Sequence, residues 1–203
     1  MGVPYLGPYN PNSILTPVLV VCLGLGYLFN LYRNKPVVRE GGVVIMSHPC
    51  RYEFHSVHHP SYIDFFDEVL ADTLDSHEIE KKYEKRFAED PWYKQMYQQS
   101  FAYHGVHPFY AWYWAAHALK YCGEVIVVGG ERSTVHRLGF KAASTLEDAL
   151  EMAEQTVGRY PSISHLRTPP LFLARVESAG GAGLGLGQGR PVGGCRGGGR
   201  QHV

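Results

Sequence analysis

The sequence predicts an α/β fold in which helices cover a mostly parallel sheet. Two short apolar runs, at residues 43–46 and Glu124–Val128, have the length and continuity of strands that are buried on both faces. Segments with helical spacing lie between and after these runs. A strand–helix–strand alternation of this kind favours parallel pairing.

Length and composition favour one domain. The chain has 203 residues, of which 45% are apolar and 19% charged, with a formal net charge of zero. These values are typical of a globular domain with a single core. The zero net charge argues against a nucleic-acid-binding protein, which needs an excess of basic residues. We expect residues 1–176 to form the domain and residues 177–203 to form a disordered tail.

The four cysteines and the amino terminus indicate a cytoplasmic protein. The cysteines are widely spaced and form no CxxC pair, so reduced thiols are expected rather than a zinc site or a disulfide framework. The first eleven residues lack the basic region that opens a signal peptide.

The first predicted helix follows Asn10, Pro11, Asn12 and Ser13, whose side-chain oxygens suit a helix start. It is expected to end near Tyr32. Its apolar run at residues 14–29 is shorter than the roughly 20 residues that cross a membrane. A buried core helix is therefore the main interpretation, and a membrane anchor is the alternative.

The central part predicts the first strand and three helices. Glu40, Gly41 and Gly42 form a turn that leads into the strand at residues 43–46. Helices are expected at residues 61–74, with Ser61 as N-cap, and at residues 78–88 and 108–120.

Beyond this region, Glu124–Val128 runs directly into a glycine turn at Gly129 and Gly130. Residues 137–143 are expected to connect this turn to a helix that continues to about Val157. Ser144 and Glu147 have the spacing of a capping box at its start. A last strand is predicted within residues 171–176.

The tail is rich in glycine and alanine and has no apolar period, so it is expected to remain disordered. Its glycines at positions 183, 185 and 187 lack the GxGxxG spacing, the following helix and the downstream acid of a dinucleotide-binding loop.

Histidines supply the candidate site. His55, His58 and His59 precede one predicted helix, and His104 and His107 precede another. In α/β proteins, ligands bind at such helix starts beyond the carboxyl ends of the strands. Imidazole exchanges protons near neutral pH and can act as a general acid or base. The alternative is that these histidines cap helices, stack on aromatic rings or face water.

Other chemistries have weaker support. The histidines at residues 55–59 lack the HExxH spacing of a zinc site, and no GxSxG nucleophile motif occurs, so no metal ligands are assigned. Five rings are candidates for lining an apolar pocket: Tyr103, Tyr110, Trp112, Tyr113 and Trp114. Core packing is the alternative, and it is expected for at least half of them.

Five segments, taken in order, resemble the C-terminal portion of the nickel-dependent lactate racemase family. The resemblance covers most of residues 10–176 and depends on the order of the pieces rather than on any one of them. The segments are PNSILTPVLVVCLGLGYLFNLYRNKPVVREGGVVIMSHPC, SFAYHGVHPFYAWYWAAHALK, GEVIVVGGE, RLGFKAASTLEDALEMA and SISHLRTPPLFLARV.

The resemblance implies an isomerase, a racemase or epimerase of 2-hydroxy acids that uses a nickel-pincer nucleotide. It places the tethering lysine, the nickel-binding histidine and the acid/base histidines in an N-terminal half, and their motifs are absent from this chain. The expected partners are therefore that half, or its separately encoded equivalent, and a small hydroxy acid. The chain alone is expected to be inactive.

The resemblance also indicates which candidate residues are the most promising. His104 and His107 lie in a region similar to the family's glycine–histidine segment at the cleft. The family's YQxxK motif is missing where Asn12 and Ser13 stand, which puts lactate itself in doubt as the substrate. The residues expected to face substrate or cofactor are His104, His107, His58, His59, Asn12, Ser13, Tyr110 and Trp112. A non-catalytic binding or structural remnant of the fold is the alternative function.

Overall fold

The computed structural model describes Met1, residues 15–168 and residues 171–176. The strands are β1 Tyr32–Arg33, β2 Val43–Ser47, β3 Glu124–Val128, β4 Lys141–Ala143 and β5 Ala174–Arg175. Three parallel strands form the main sheet in the order β2-β3-β4, and the two short strands β1 and β5 form a second parallel pair.

Seven helices accompany the strands in the described part of the chain, and three of them contain a π-helical segment. The helix α1 joins Pro17–Val21, Cys22–Gly26 and Tyr27–Asn30; α2 joins Pro60–Asp64, Phe65–Val69 and Leu70–Asp72; α3 joins Ser76–Ile79, Glu80–Glu84 and Lys85–Glu89; α4 is Pro91–Gln99, α5 is His107–Tyr121, α6 is Arg132–Arg137 and α7 is Leu146–Val157.

The sheet is covered on both faces, which confirms the predicted α/β class. Val44 lies beside Val125 in the β2–β3 pairing, so the two apolar runs are interior neighbours as expected. Val125 and Val127 face the large core that contains α1 and α5, whereas Ile126 faces a smaller cluster under α7. This alternation follows from the two-residue period of a strand.

The first helix begins and ends at residues other than those predicted. Its N-cap is Thr16, whose hydroxyl accepts a hydrogen bond from the backbone N–H of Leu19 at 3.3 Å, and its last residue is Asn30. The predicted cap residues, 10–13, lie outside the described residues. Instead of continuing the helix, Tyr32 pairs with Ala174. The last predicted strand is therefore present, but it joins β1 and not the main sheet.

The third strand of the main sheet is Lys141–Ala143, within a segment that was expected to be only a connection. Gly129 adopts a left-handed φ of 75°, which allows the chain to turn sharply after β3. The short helix α6 then returns the chain to pair β4 beside β3. A three-residue strand gives little apolar signal, and this one was missed for that reason.

Two predicted helix caps were wrong. The capping box at the start of α7 uses Thr145 and Asp148, one residue later than the predicted Ser144 and Glu147. Ser61 does not cap α2 but lies fully buried in its first turn. The helix α4 was not predicted, although Asp90 caps it and Pro91 opens it in the usual way.

The apolar first helix also bears on the membrane alternative. Of the helices in the described ranges, none has both the length and the apolar character needed to cross a bilayer. The helix α1 packs within the protein, where Val18, Val21 and Leu23 are fully buried.

Candidate functional site

The histidine segments meet at the carboxyl end of the main sheet. The strand β2 leads through a loop to the start of α2, and α5 begins at His107 and returns the chain to β3. Tyr52 in the β2 loop donates its backbone N–H to Glu131 Oε2, just after β3, at 2.8 Å. Topology therefore places both helix starts at the edge of the sheet where α/β proteins bind ligands.

Five side chains form what we term the histidine–tyrosine cluster: His58, His59, Tyr62, Tyr103 and His107. The ring of Tyr103 stacks between those of His59 and His107, with centroid distances of 5.3 and 4.5 Å and interplanar angles of 11° and 20°. The hydroxyl of Tyr62 lies 2.5 Å from His107 Nδ1. The two histidine segments, about 45 residues apart in sequence, are thus held together by tyrosines.

Backbone hydrogen bonds fix this arrangement. The N–H of Tyr103 donates to the carbonyl oxygen of His58 at 2.9 Å, which ties the two segments together. The N–H of His55 donates to His59 Nδ1 at 3.2 Å. The ring of His55 also stacks on that of His58, with centroids 3.9 Å apart. The orientation of these imidazoles therefore depends on the local backbone as well as on ring packing.

Burial keeps the imidazoles neutral. Desolvation, with smaller contributions from His58, His55 and His107, lowers the pKa of His59 to about 3. Desolvation and His104 lower the pKa of His107. Desolvation and His55 lower the pKa of His58. At neutral pH the cluster therefore offers neutral rings, each of which can donate at one nitrogen and accept at the other.

Of the remaining candidate residues, the three that are described, His104, Tyr110 and Trp112, do not belong to the cluster. His104 is half-buried beside the ring of Tyr97 and contributes to the lowered pKa of His107. Tyr110 is 58% exposed on α5. Trp112 is fully buried on the same helix and donates Nε1–H to the carbonyl of Leu74 at 3.3 Å, so its ring packs in the core. Asn12 and Ser13 lie outside the described residues.

Tyr62 and Tyr103 were not among the residues predicted to face substrate or cofactor. Both have a signal that could have found them. Tyr62 follows His58 and His59 by four and three positions in a segment that starts a helix, so it shares their side of the helix start. Tyr103 directly precedes His104 in the second histidine segment.

A cavity of about 200 Å³ opens beside the cluster, between α1 and α5. We term it the aromatic groove. The described residues that line it are Leu19, Cys22, Tyr27, His107, Tyr110, Ala111 and Trp114. Because His107 belongs to both, the groove and the histidine–tyrosine cluster form one continuous site.

A second, larger cavity of about 350 Å³ lies at the opposite end of β3, against Glu124. No histidine is among the described residues that line it. Its charged groups are engaged, since Lys120 Nζ is 2.8 Å from Asp75 Oδ2 and Lys141 pairs with Glu124. Although this cavity is the larger, the aromatic groove is the better candidate because it adjoins groups that can exchange protons.

The described cysteines do not provide a nucleophile. Burial raises the pKa of Cys22 and Cys122 to about 11, and burial together with the charge of Glu131 raises that of Cys50 to about 12. These thiols stay protonated at neutral pH, and a protonated thiol is a poor nucleophile.

In the described ranges, no three or more His, Cys, Asp or Glu side chains are arranged to hold a metal ion. The chain matches no protein-family model and no curated protein.

Proposed function

We propose that this chain is the C-terminal domain of a cytoplasmic racemase or epimerase of 2-hydroxy acids that depends on a nickel-pincer nucleotide. An N-terminal half would hold the cofactor and most of the substrate, and this domain would close over them. The observation that carries the proposal is the assembly of two histidine segments into one neutral cluster beside an open groove. The order of sequence segments that resembles the lactate racemase family supports it independently.

The role of this chain in such an enzyme is to bind and orient the substrate. A 2-hydroxy acid carries a hydroxyl and a carboxylate on adjacent carbons, and a neutral imidazole can hydrogen-bond to either. Tyr62 holds the ring of His107 through Nδ1, so that Nε2 is the nitrogen left to bind a ligand. Positioning of this kind contributes to rate only when the reacting groups are held in a narrow geometry. Closure by the domain would also exclude water from the reaction.

The proposal is tested by reconstitution. The full chain is mixed with the cofactor-loaded N-terminal half of a nickel-dependent lactate racemase, and complex formation is measured by size-exclusion chromatography. Interconversion of D and L enantiomers is then followed by chiral chromatography for lactate and for larger 2-hydroxy acids. We expect a complex, and turnover of at least one acid that neither half supports alone.

Matched variants make the result specific. His107→Gln should lower turnover by at least tenfold, because it removes a group placed to orient the substrate. His117→Gln, at an exposed position on the same helix, should leave turnover unchanged. Binding of the two halves without racemisation of any acid would favour the non-catalytic alternative. No complex and no turnover would overturn the proposal.

A further inference from the structure

The aromatic groove has one apolar wall from each of two helices. On α5, the residues His107, Ala111 and Trp114 recur at intervals of four and three and share one face. On α1, Leu19 and Tyr27 line the opposite wall. The rings of Tyr27 and Trp114 meet edge to face, with centroids 6.2 Å apart and planes at 68°. The result is a slot between aromatic rings with an imidazole at one end.

Gly26 allows the two helices that form the slot to approach closely. A Cβ atom at Gly26 would overlap Cδ1 of Trp114, so the indole ring lies directly against the backbone of α1. The side chain of Asn30 links the same two helices, donating from Nδ2 to the carbonyl oxygens of Gly26 and Trp114 at 2.6 Å each. The positions of the rings are therefore set by the backbone contact between the helices.

The volume of the groove decides what can occupy it. About 200 Å³ is less than the range of roughly 300 to 1,000 Å³ that encloses a whole drug-sized ligand or cofactor. It is sufficient for one phenyl or indole ring. Tyr110 is 58% and Trp114 41% exposed, so an apolar group in the slot would cover ring surface that now faces water.

The polar end of the groove is His107. Its Nδ1 is engaged by the Tyr62 hydroxyl, and no described residue makes a hydrogen bond to its Nε2. Among the described residues that line the groove there is no Lys, Arg, Asp or Glu. A fitting ligand therefore combines one aromatic ring with an oxygen group placed to meet an imidazole nitrogen.

We infer that the aromatic groove binds the aryl side chain of a 2-hydroxy acid whose hydroxyl or carboxylate meets His107. This inference rests on the proposed function and narrows its substrate class, from 2-hydroxy acids in general to those with a phenyl-sized or indole-sized side chain. Lactate, which has only a methyl group, would leave the groove empty.

The test measures binding of three probes to the full chain by isothermal titration calorimetry. Phenyllactate has both the ring and the hydroxyl, 3-phenylpropanoate has the ring alone, and lactate has the hydroxyl alone. We expect both phenyl compounds to bind at least tenfold more tightly than lactate, because only they bury a ring in the groove. Equal affinities for the three probes, or no binding of the phenyl compounds, would overturn the inference.

Variants locate the binding. Ala111→Leu places a larger side chain in the groove and should weaken both phenyl compounds at least tenfold, whereas Ala71→Leu, the same change at an exposed position on α2, should not. Tyr110→Ser is a second variant that avoids crowding, since it removes an exposed ring from the groove wall. Its control is Tyr160→Ser, which removes a ring that is 90% exposed and lies outside the groove. Unchanged phenyl binding in both groove variants would also overturn the inference.

Failure of the groove inference and failure of the proposed function would give different results. Because 3-phenylpropanoate has no 2-hydroxyl group, its binding reports on the groove whether or not the assembled protein racemises anything. Turnover of lactate without preference for phenyllactate by the reconstituted enzyme would support the proposed function and count against the groove as a substrate site.

Discussion

The hydroxyl of Tyr62 lies 2.5 Å from Nδ1 of His107, and this contact connects the start of α2 to the start of α5. Tyr62 is fully buried, so its hydroxyl has little access to competing water. A hydrogen bond in such a place is costly to break, because the partner left behind is desolvated. This hydrogen bond therefore couples the starts of the two helices that carry the candidate site.

Tyr62→Phe should destabilise the protein by about 1 to 3 kcal/mol, because it leaves the Nδ1 side of His107 without its partner. Urea unfolding followed by circular dichroism measures the change. Tyr83→Phe is the matched control, since its hydroxyl bonds to Asp72 at the surface and its loss should cost less than about 1 kcal/mol. Equal losses in the two variants would contradict the coupling.

The buried histidines predict how stability depends on pH. The pKa of His59 is about 3 in the folded protein against an ordinary value of 6.5, so between these values the unfolded chain binds a proton that the folded protein does not. The free energy of unfolding should therefore fall as the pH falls from about 7 toward 3, and then level off. The lowered pKa values of His58 and His107 act in the same direction.

Unfolding free energies measured at pH 7 and pH 5 test this dependence. His59→Gln should reduce the difference between the two pH values, even if it lowers stability at both. His77→Gln, at an exposed position, should retain the full difference. An unchanged pH difference in the His59 variant would show that another group is responsible.

The start of α7 offers a sharp comparison of neighbouring residues. Thr145→Ala should cost about 1 kcal/mol, because the Thr145 hydroxyl accepts the Asp148 N–H at 3.0 Å and thereby caps the helix. Ser144→Ala, one position earlier and exposed, should change stability by less than about 0.5 kcal/mol. Thermal unfolding measures the loss of stability in each variant. A larger loss for Ser144→Ala than for Thr145→Ala would show that Ser144, the residue predicted from the sequence, caps the helix.

Gly26→Ala should destabilise the protein, although alanine is the better helix former by about 1 kcal/mol. The added methyl group overlaps the Trp114 ring, and overpacking of this kind costs about 1 to 3 kcal/mol. Adding Trp114→Ala to the Gly26 variant should recover part of the loss. A double-mutant cycle measures the coupling, and strictly additive effects would exclude the contact.

The apolar strands and the longer helices could be predicted from the sequence because their signals are local. Val43 and Glu124 begin their strands at the predicted residues, and α5 differs from its prediction by one residue at each end. The strands at Lys141 and Tyr32 were missed because they are short and depend on partners elsewhere in the chain. Tertiary pairing, rather than local preference, determines such elements.

The candidate site was predicted in outline only. The sequence indicated that His58, His59 and His107 would gather at one edge of the sheet, and they do. It did not indicate that tyrosine rings would hold them together, since stacking between segments 45 residues apart leaves no periodic trace. Nor did it distinguish Trp112, which points into the core, from Tyr110, which is exposed two positions earlier.

The pairing of β2 with β3 has a consequence for how the chain folds. Val44 and Val125 are neighbours in the sheet but about 80 positions apart in sequence, whereas β3 and β4 are separated by a single short helix. Closing a long loop costs more entropy than closing a short one, and distant contacts slow folding. We expect β3, α6 and β4 to assemble early and β2 to dock late. The chain would then pass its folding transition state before β2 docks and before the loop that carries His58 and His59 reaches the carboxyl end of the sheet.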